Sequence, residues 1–195
     1  ANAMHFNASK LVFAEEDLGL SATYTPWLRS LGLNDVYLAY LTGYYKLDDL
    51  QTLGFGLRYF SLGSIQFTDF NGEPLTTGRP NEFEITGAYA RKLTDNFSAA
   101  ISAKFIYSNL AAGQEVQGEV IEPGLAGAAD ISFTYEGPIK LENNNSLLRV
   151  GLALTNMGSK ITYTNSVNRD FLPANIGLGA AWEIEMDQYN TITFA

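Results

Sequence analysis

Leu50-Gln-Thr-Leu-Gly-Phe-Gly-Leu-Arg-Tyr-Phe-Ser-Leu-Gly-Ser-Ile-Gln-Phe-Thr-Asp69 alternates with a period of two. Leu53, Phe55, Leu57 and Tyr59 are large and apolar, and Gly54, Gly56 and Arg58 fill the places between them. Successive side chains of a strand point to opposite faces, so this is a strand with one apolar and one small or polar face. The run exceeds the five or six residues, roughly, of a globular strand, whereas about nine to eleven tilted residues cross a bilayer. Length and alternation together raise an outer-membrane barrel. A kink or bulge is expected at Gly63-Ser64, with Ile65 and Phe67 continuing the odd-numbered row.

The 195 residues suffice for one domain, 1–195. Hydrophobic residues make up 46% and charged residues only 17%, below the roughly 25% of soluble proteins. The mean hydropathy of -0.04 and the lack of any run of about 18 apolar residues exclude a helical membrane protein. In lipid only helices and closed barrels satisfy every backbone group, so a membrane protein of this composition is a barrel. Glycine at 18, with 11 Tyr and 12 Phe, suits close strand approach and interfacial aromatic girdles. The absence of cysteine removes disulfides and thiolate metal sites, and a net charge of -9 opposes nucleic-acid binding.

Residues 1–16 show no alternation and are expected to be an irregular N-terminal segment. They hold the only histidine, His5, to which no role is given. Asp17 to Thr25 reads as a short strand ending at Pro26-Trp27, with Tyr24 and Trp27 candidates for a membrane interface or an aromatic cap. Asp35 to Lys46 is apolar on both parities, and Asp48-Asp49 turn the chain into the stretch quoted above. Phe70-Asn-Gly-Glu73 is a turn, and Thr76 to Pro80 reads as an exposed loop. Further alternating runs fill 82–92, 97–108, 125–135, 148–155 and 175–184, with Tyr189 to Ala195 starting another. Asp95-Asn96 makes a tight hairpin, residues 111–123 a polar loop, and Glu136 to Asn145 a turn.

Mid-strand charges test the two faces, because a lipid-facing Arg or Lys near the midplane costs about 2–4 kcal/mol. Arg58, Glu84, Lys104, Asp130, Arg149 and Glu183 all fall on the parity opposite the apolar row. They are expected to face a lumen, and Leu53, Phe55, Leu57 and Tyr59 to face lipid. A soluble barrel or sandwich would divide its strands the same way. The long aromatic-rich row and the alternation of short and long connections favour an antiparallel up-and-down transmembrane barrel, all-β. The count of about nine strands is odd, whereas single-chain bacterial barrels close with even numbers. With the last run stopping in mid-strand at Phe194-Ala195 and neither an initiator Met nor a signal peptide at Ala1, the sequence is expected to be a barrel truncated at both ends.

Catalytic chemistry finds no set of groups to carry it: no cysteine is present and the one histidine has no nucleophile beside it. Gly158-Ser159-Lys160 lacks the upstream glycine of a phosphate loop and reads as a strand-edge turn. Glu82 and Glu84 read as solvated charges rather than an acid pair, and Asp69, Asn71 and Gly72 as a turn rather than a calcium loop. No enzyme, cofactor or metal is expected.

Several words, in order along the chain, resemble one family. They are Ser21-Ala-Thr-Tyr-Thr-Pro-Trp-Leu28, Leu57-Arg-Tyr-Phe-Ser-Leu-Gly63 with Ile65, Pro80-Asn-Glu-Phe83 with Gly87-Ala-Tyr89, and Phe97-Ser98. Tyr107-Ser-Asn-Leu110, Asn156-Met-Gly-Ser-Lys-Ile161 and Phe171-Leu-Pro-Ala-Asn-Ile176 complete the set. The set is similar to the PorV (LptO) family, outer-membrane proteins of the Bacteroidetes type IX secretion system related in fold to FadL barrels. Phe6-Asn-Ala-Ser-Lys10 departs from the family's Asn-Pro-Ala-Lys, with Ala8 in place of proline.

The resemblance implies a barrel of about fourteen strands in the outer membrane. It also implies a non-enzymatic carrier that takes cargo by its C-terminal domains from the SprA-like translocon to the PorU-like attachment complex. Its partners are thus the translocon, the attachment complex, cargo C-terminal domains and outer-membrane lipid. A FadL-like transporter of fatty acids or other hydrophobic compounds is the alternative, and the lipopolysaccharide deacylase role associated with the LptO name ranks last.

Overall fold

A computed structural model of the chain describes residues 2–69, 71–111, 113–116, 119–140, 145–164, 169–187 and 190–195. Among these, the strands are β1 (Leu18–Pro26), β2 (Val36–Asp48), β3 (Gln51–Leu62), β4 (Ile65–Thr68), β5 (Pro74–Gly78), β6 (Asn81–Thr94), β7 (Phe97–Asn109), β8 (Glu115–Val116) and β9 (Glu119–Val120). They continue with β10 (Gly124–Lys140), β11 (Asn145–Gly158), β12 (Lys160–Ile161), β13 (Asp170–Phe171), β14 (Asn175–Glu185) and β15 (Thr191–Phe194). Helical structure is confined to α1 (Ala3–Phe6) and the 3-10 segments Ala8–Phe13 and Arg29–Leu31.

Nine of the strands make one antiparallel sheet in the order β1-β2-β3-β6-β7-β10-β11-β14-β15, so each wall strand pairs with the next one along the chain. The three remaining pairs, β4-β5, β8-β9 and β12-β13, are separate hairpins within the long connections. This is up-and-down connectivity, all-β and antiparallel. The outer strands β1 and β15 do not pair with each other among the described residues, and each leaves an edge free.

Connection lengths alternate as the sequence predicts. At one end, side chains make the tight turns: Asp48 accepts from the Leu50 backbone N–H at 2.8 Å and from Gln51 Nε2 at 2.6 Å. Asn96 donates from Nδ2 to the Glu136 carbonyl at 2.7 Å, tying the β6-β7 turn to β10. At the other end lie the long connections with their hairpins. In the first of these, Asp69 accepts from the backbone N–H groups of Asn71 and Glu73, each at 2.8 Å, which makes that segment a turn; Phe70 lies outside the described residues.

Three expectations are corrected. The stretch 50–69 is not one strand: β3 ends at Leu62, Gly63 takes φ +82°, and the chain leaves the sheet into the β4-β5 hairpin. A Cβ at Gly63 would stand 2.9 Å from Asp35 Oδ1 and Val36 Cγ2, and Asp35 also accepts from the Ser64 N–H at 2.8 Å, so the break is fixed by contacts from the β1-β2 connection. Of Thr76 to Pro80, read as an exposed loop, the first three residues belong to strand β5 (Pro74–Gly78). Glu136 to Lys140, read as a turn, extends β10; residues 141–144 lie outside the described residues. The irregularity expected at Gly63-Ser64 is the point where the chain leaves the sheet, and register shifts within the ladders fall at Lys46/Asp48, Gln66/Thr68, Lys92/Thr94 and Ala129/Ile131. Tyr189, expected to begin the last strand, is likewise outside the described residues.

Residues 2–13 pack against one face of the sheet, called the inner face below. Met4, Ala8, Leu11 and Val12 are buried together with Tyr44, Ala88, Ala90 and Ala100. Small wall residues make the seat: a Cβ at Gly54 would stand 2.9 Å from Leu11 Cδ1 and Met4 Sδ, and one at Gly151 would stand 2.9 Å from Asn7 Nδ2. Polar groups then fix the depth. Ser9 shares a hydrogen bond of 2.7 Å with Thr134 and donates its N–H to Ser132 Oγ at 3.2 Å. Ser98 donates to the Ser9 carbonyl at 2.8 Å, and Asn7 Nδ2 donates to the Phe133 carbonyl at 3.0 Å. Residues without alternation thus become two short helical turns on the inner face.

A barrel wall with an ion-paired inner face

The six charged residues picked out by parity stand on the inner face and meet one another. Arg58 and Glu84 sit directly opposite in the β3-β6 register, with Nη2 to Oε2 at 2.8 Å. Lys104 reaches Asp130 at 2.7 Å, and both side chains are about nine-tenths buried. Arg149 bridges two strands, with Nε to Glu136 at 2.7 Å and Nη1 to Glu183 at 2.6 Å. Of the two carboxylates weighed as an acid pair, Glu84 is held by Arg58 and by Thr86 Oγ1, while Glu82 accepts from Ser108 Oγ.

Two participants escaped the sequence reading. Glu136 opens a stretch that reads as a turn, although it continues the even-numbered row of Asp130, Ser132 and Thr134. Asn156 stands in the sequence only as the first residue of the word Asn156-Met-Gly-Ser-Lys-Ile161, with no role attached. It takes φ +59° at the irregularity of the β10-β11 ladder, where its N–H donates to Asp130 Oδ1 at 2.8 Å and its Oδ1 accepts from Lys104 Nζ at 3.0 Å. Asparagine tolerates the left-handed conformation better than most residues.

Beside these groups the inner face borders an open cavity of about 700 Å³ lined by His5, Lys10, Arg58, Lys104, Arg149 and Asn156, among others. His5 is pushed below its ordinary value of 6.5 chiefly by desolvation, with Arg58 adding to the effect. Toward the long connections a smaller pocket of about 260 Å³ has Trp27, Leu38, Phe60 and Ile106 above Arg58, Glu82 and Glu84. Trp27 faces inward there, its ring 5.7 Å from that of Phe60. Among the described residues, no group of three or more His, Cys, Asp or Glu could hold a metal ion.

The opposite face is apolar. Leu53, Phe55 and Leu57 are exposed on it and Tyr59 is partly so, and the ladder continues the row through Ile85, Ile101, Phe105, Ile176 and Leu178, all exposed. Near the long connections Tyr24, Tyr37 and Tyr59 follow one another at 5.2 and 6.0 Å between rings, and Phe83 stacks on Tyr107 at 4.9 Å. Near the tight turns Phe97 stacks on Phe133 and Trp182 lies against Phe194. No helix among the described residues is long and apolar enough to cross a membrane.

An up-and-down antiparallel wall, ion-paired on one face and apolar on the other, defines a β-barrel protein. The family model for "Type IX secretion system protein PorV" matches residues 1–195, so the chain belongs to that family and is a component of the type IX secretion system. A comparison with curated proteins gives no significant match.

Proposed function

We propose that the protein is an integral outer-membrane barrel whose inner face lines a lumen and whose apolar face meets lipid. On this reading it carries cargo proteins, held by their C-terminal domains, from the translocon to the surface attachment complex. The family match over the whole chain carries the proposal. The aromatic rows support the membrane part. From Phe97 to Tyr107 is about 33 Å of strand, which a tilt of 35–45° projects to about 23–27 Å, the height of an outer-membrane apolar band. The seated N-terminal segment supports docking over conduction, because it occupies the inner face that a passing solute would need.

The alternative, a FadL-like transporter of hydrophobic compounds, draws on the apolar pocket of Trp27, Leu38, Phe60 and Ile106 above Arg58. Both readings meet one experiment. The protein is purified from outer membranes in mild detergent and tested for co-purifying cargo C-terminal domains and for fatty-acid binding. Cargo without fatty acid is expected; fatty acid without cargo would replace carrier by transporter.

A further inference from the structure

The connection after β11 turns back onto the inner face. Gly127 and Ser159 exchange two hydrogen bonds, N–H to Oγ at 3.1 Å and N–H to carbonyl at 2.8 Å. Ile161 is buried. Tyr163 hydrogen-bonds Ser108 Oγ at 2.9 Å, Ser108 donates onward to Glu82, and the Tyr163 carbonyl accepts from the Glu122 N–H at 2.8 Å. Ser108 and Glu82 have the parity of Lys104 and Glu84, so the connection lies inside the wall. Its seat is built: a Cβ at Gly124 would stand 2.8 Å from both Ile161 and Tyr163. Asn156 fastens the return, its Nδ2 donating to the Pro173 carbonyl at 3.1 Å while its other groups hold the Lys104–Asp130 pair.

We infer that Ser159–Thr164 is a strap that closes the long-connection mouth of the lumen, with Tyr163–Ser108–Glu82 as its catch and Gly124 as its seat. The inference rests on the barrel reading but not on cargo. Tyr163→Phe removes the catch with little change of volume, and Gly124→Leu fills the seat.

The test uses the full-length protein in cells; residues 1–195 contain no cysteine. A single cysteine replaces Ile161, as a reporter of the strap, or Ala153, which lines the inner cavity. A membrane-impermeant thiol reagent is added outside. Each strap substitution is expected to speed labelling at both positions, by about tenfold for Tyr163→Phe. Faster labelling at 161 with no change at 153 would show a strap that does not close the lumen, and no change at 161 would show that these contacts do not hold it. Absence of the unsubstituted protein from heat-modifiable outer-membrane material would overturn the barrel reading instead. Should Gly124→Leu fail to assemble, Tyr163→Phe decides.

Discussion

His5 and Asp130 show how single side chains hold the inner face. Because burial and Arg58 keep His5 below its ordinary 6.5, the seated segment favours neutral imidazole. Above that pH the ring is neutral whether the segment is seated or free, and seating is complete. As pH falls through 6.5 the free segment takes the proton first, so seating weakens until the lower seated value is passed. Amide exchange at residues 4–12, corrected for intrinsic rate, should quicken between about pH 7.5 and about pH 5.5, and His5→Gln should flatten the profile. A variant as pH-sensitive as the parent would refute this. Asp130→Ala takes the carboxylate from the buried Lys104 ammonium, leaving it Asn156 Oδ1 alone, and leaves the Asn156 N–H unpaired, at a cost of about 3–5 kcal/mol. A lower urea midpoint, partly restored by Lys104→Ala, is the expected result.

At the scale of one strand, β3 presents Leu57 and Arg58 to opposite sides. Leu57→Arg puts a charge in the apolar row, at about 2–4 kcal/mol near a bilayer midplane, whereas Arg58→Ala leaves that row unchanged and takes the cation from buried Glu84, which keeps its Thr86 hydrogen bond. Heat-modifiable assembly should fall sharply for the first and little for the second; equal losses would mean that the faces are misassigned. The wall strands were readable because alternation is local and repeats along each of them. The end of β3 was not, since Ile65 and Phe67 keep the parity and the break depends on Asp35 and Val36, some thirty positions earlier. The hairpins β8-β9 and β12-β13 pair only two residues a side, too few for a period to show.

In the molecule as a whole, parity selected Arg58, Glu84, Lys104, Asp130, Arg149 and Glu183, but it could not select their pairings. Those depend on strand register, as does the recruitment of Glu136 and Asn156. The glycines and alanines between the charges read as a merely small face. Only the folded wall shows that Gly54, Ala88, Ala90 and Ala100 are small because something sits on them.

That seat sets an order of events in assembly. Ser9 finds its partners 123 and 125 positions away, on β10, and its carbonyl is held by Ser98 on β7. The first residues of the chain therefore have no complete resting place until strands made much later are in register. Closing so long a loop is entropically costly, and the contacts that repay it all arrive together. Residues 4–12 are synthesised before β7 and β10 and settle after them, and until then the apolar side chains Met4, Leu11 and Val12 are exposed to whatever escorts the nascent wall.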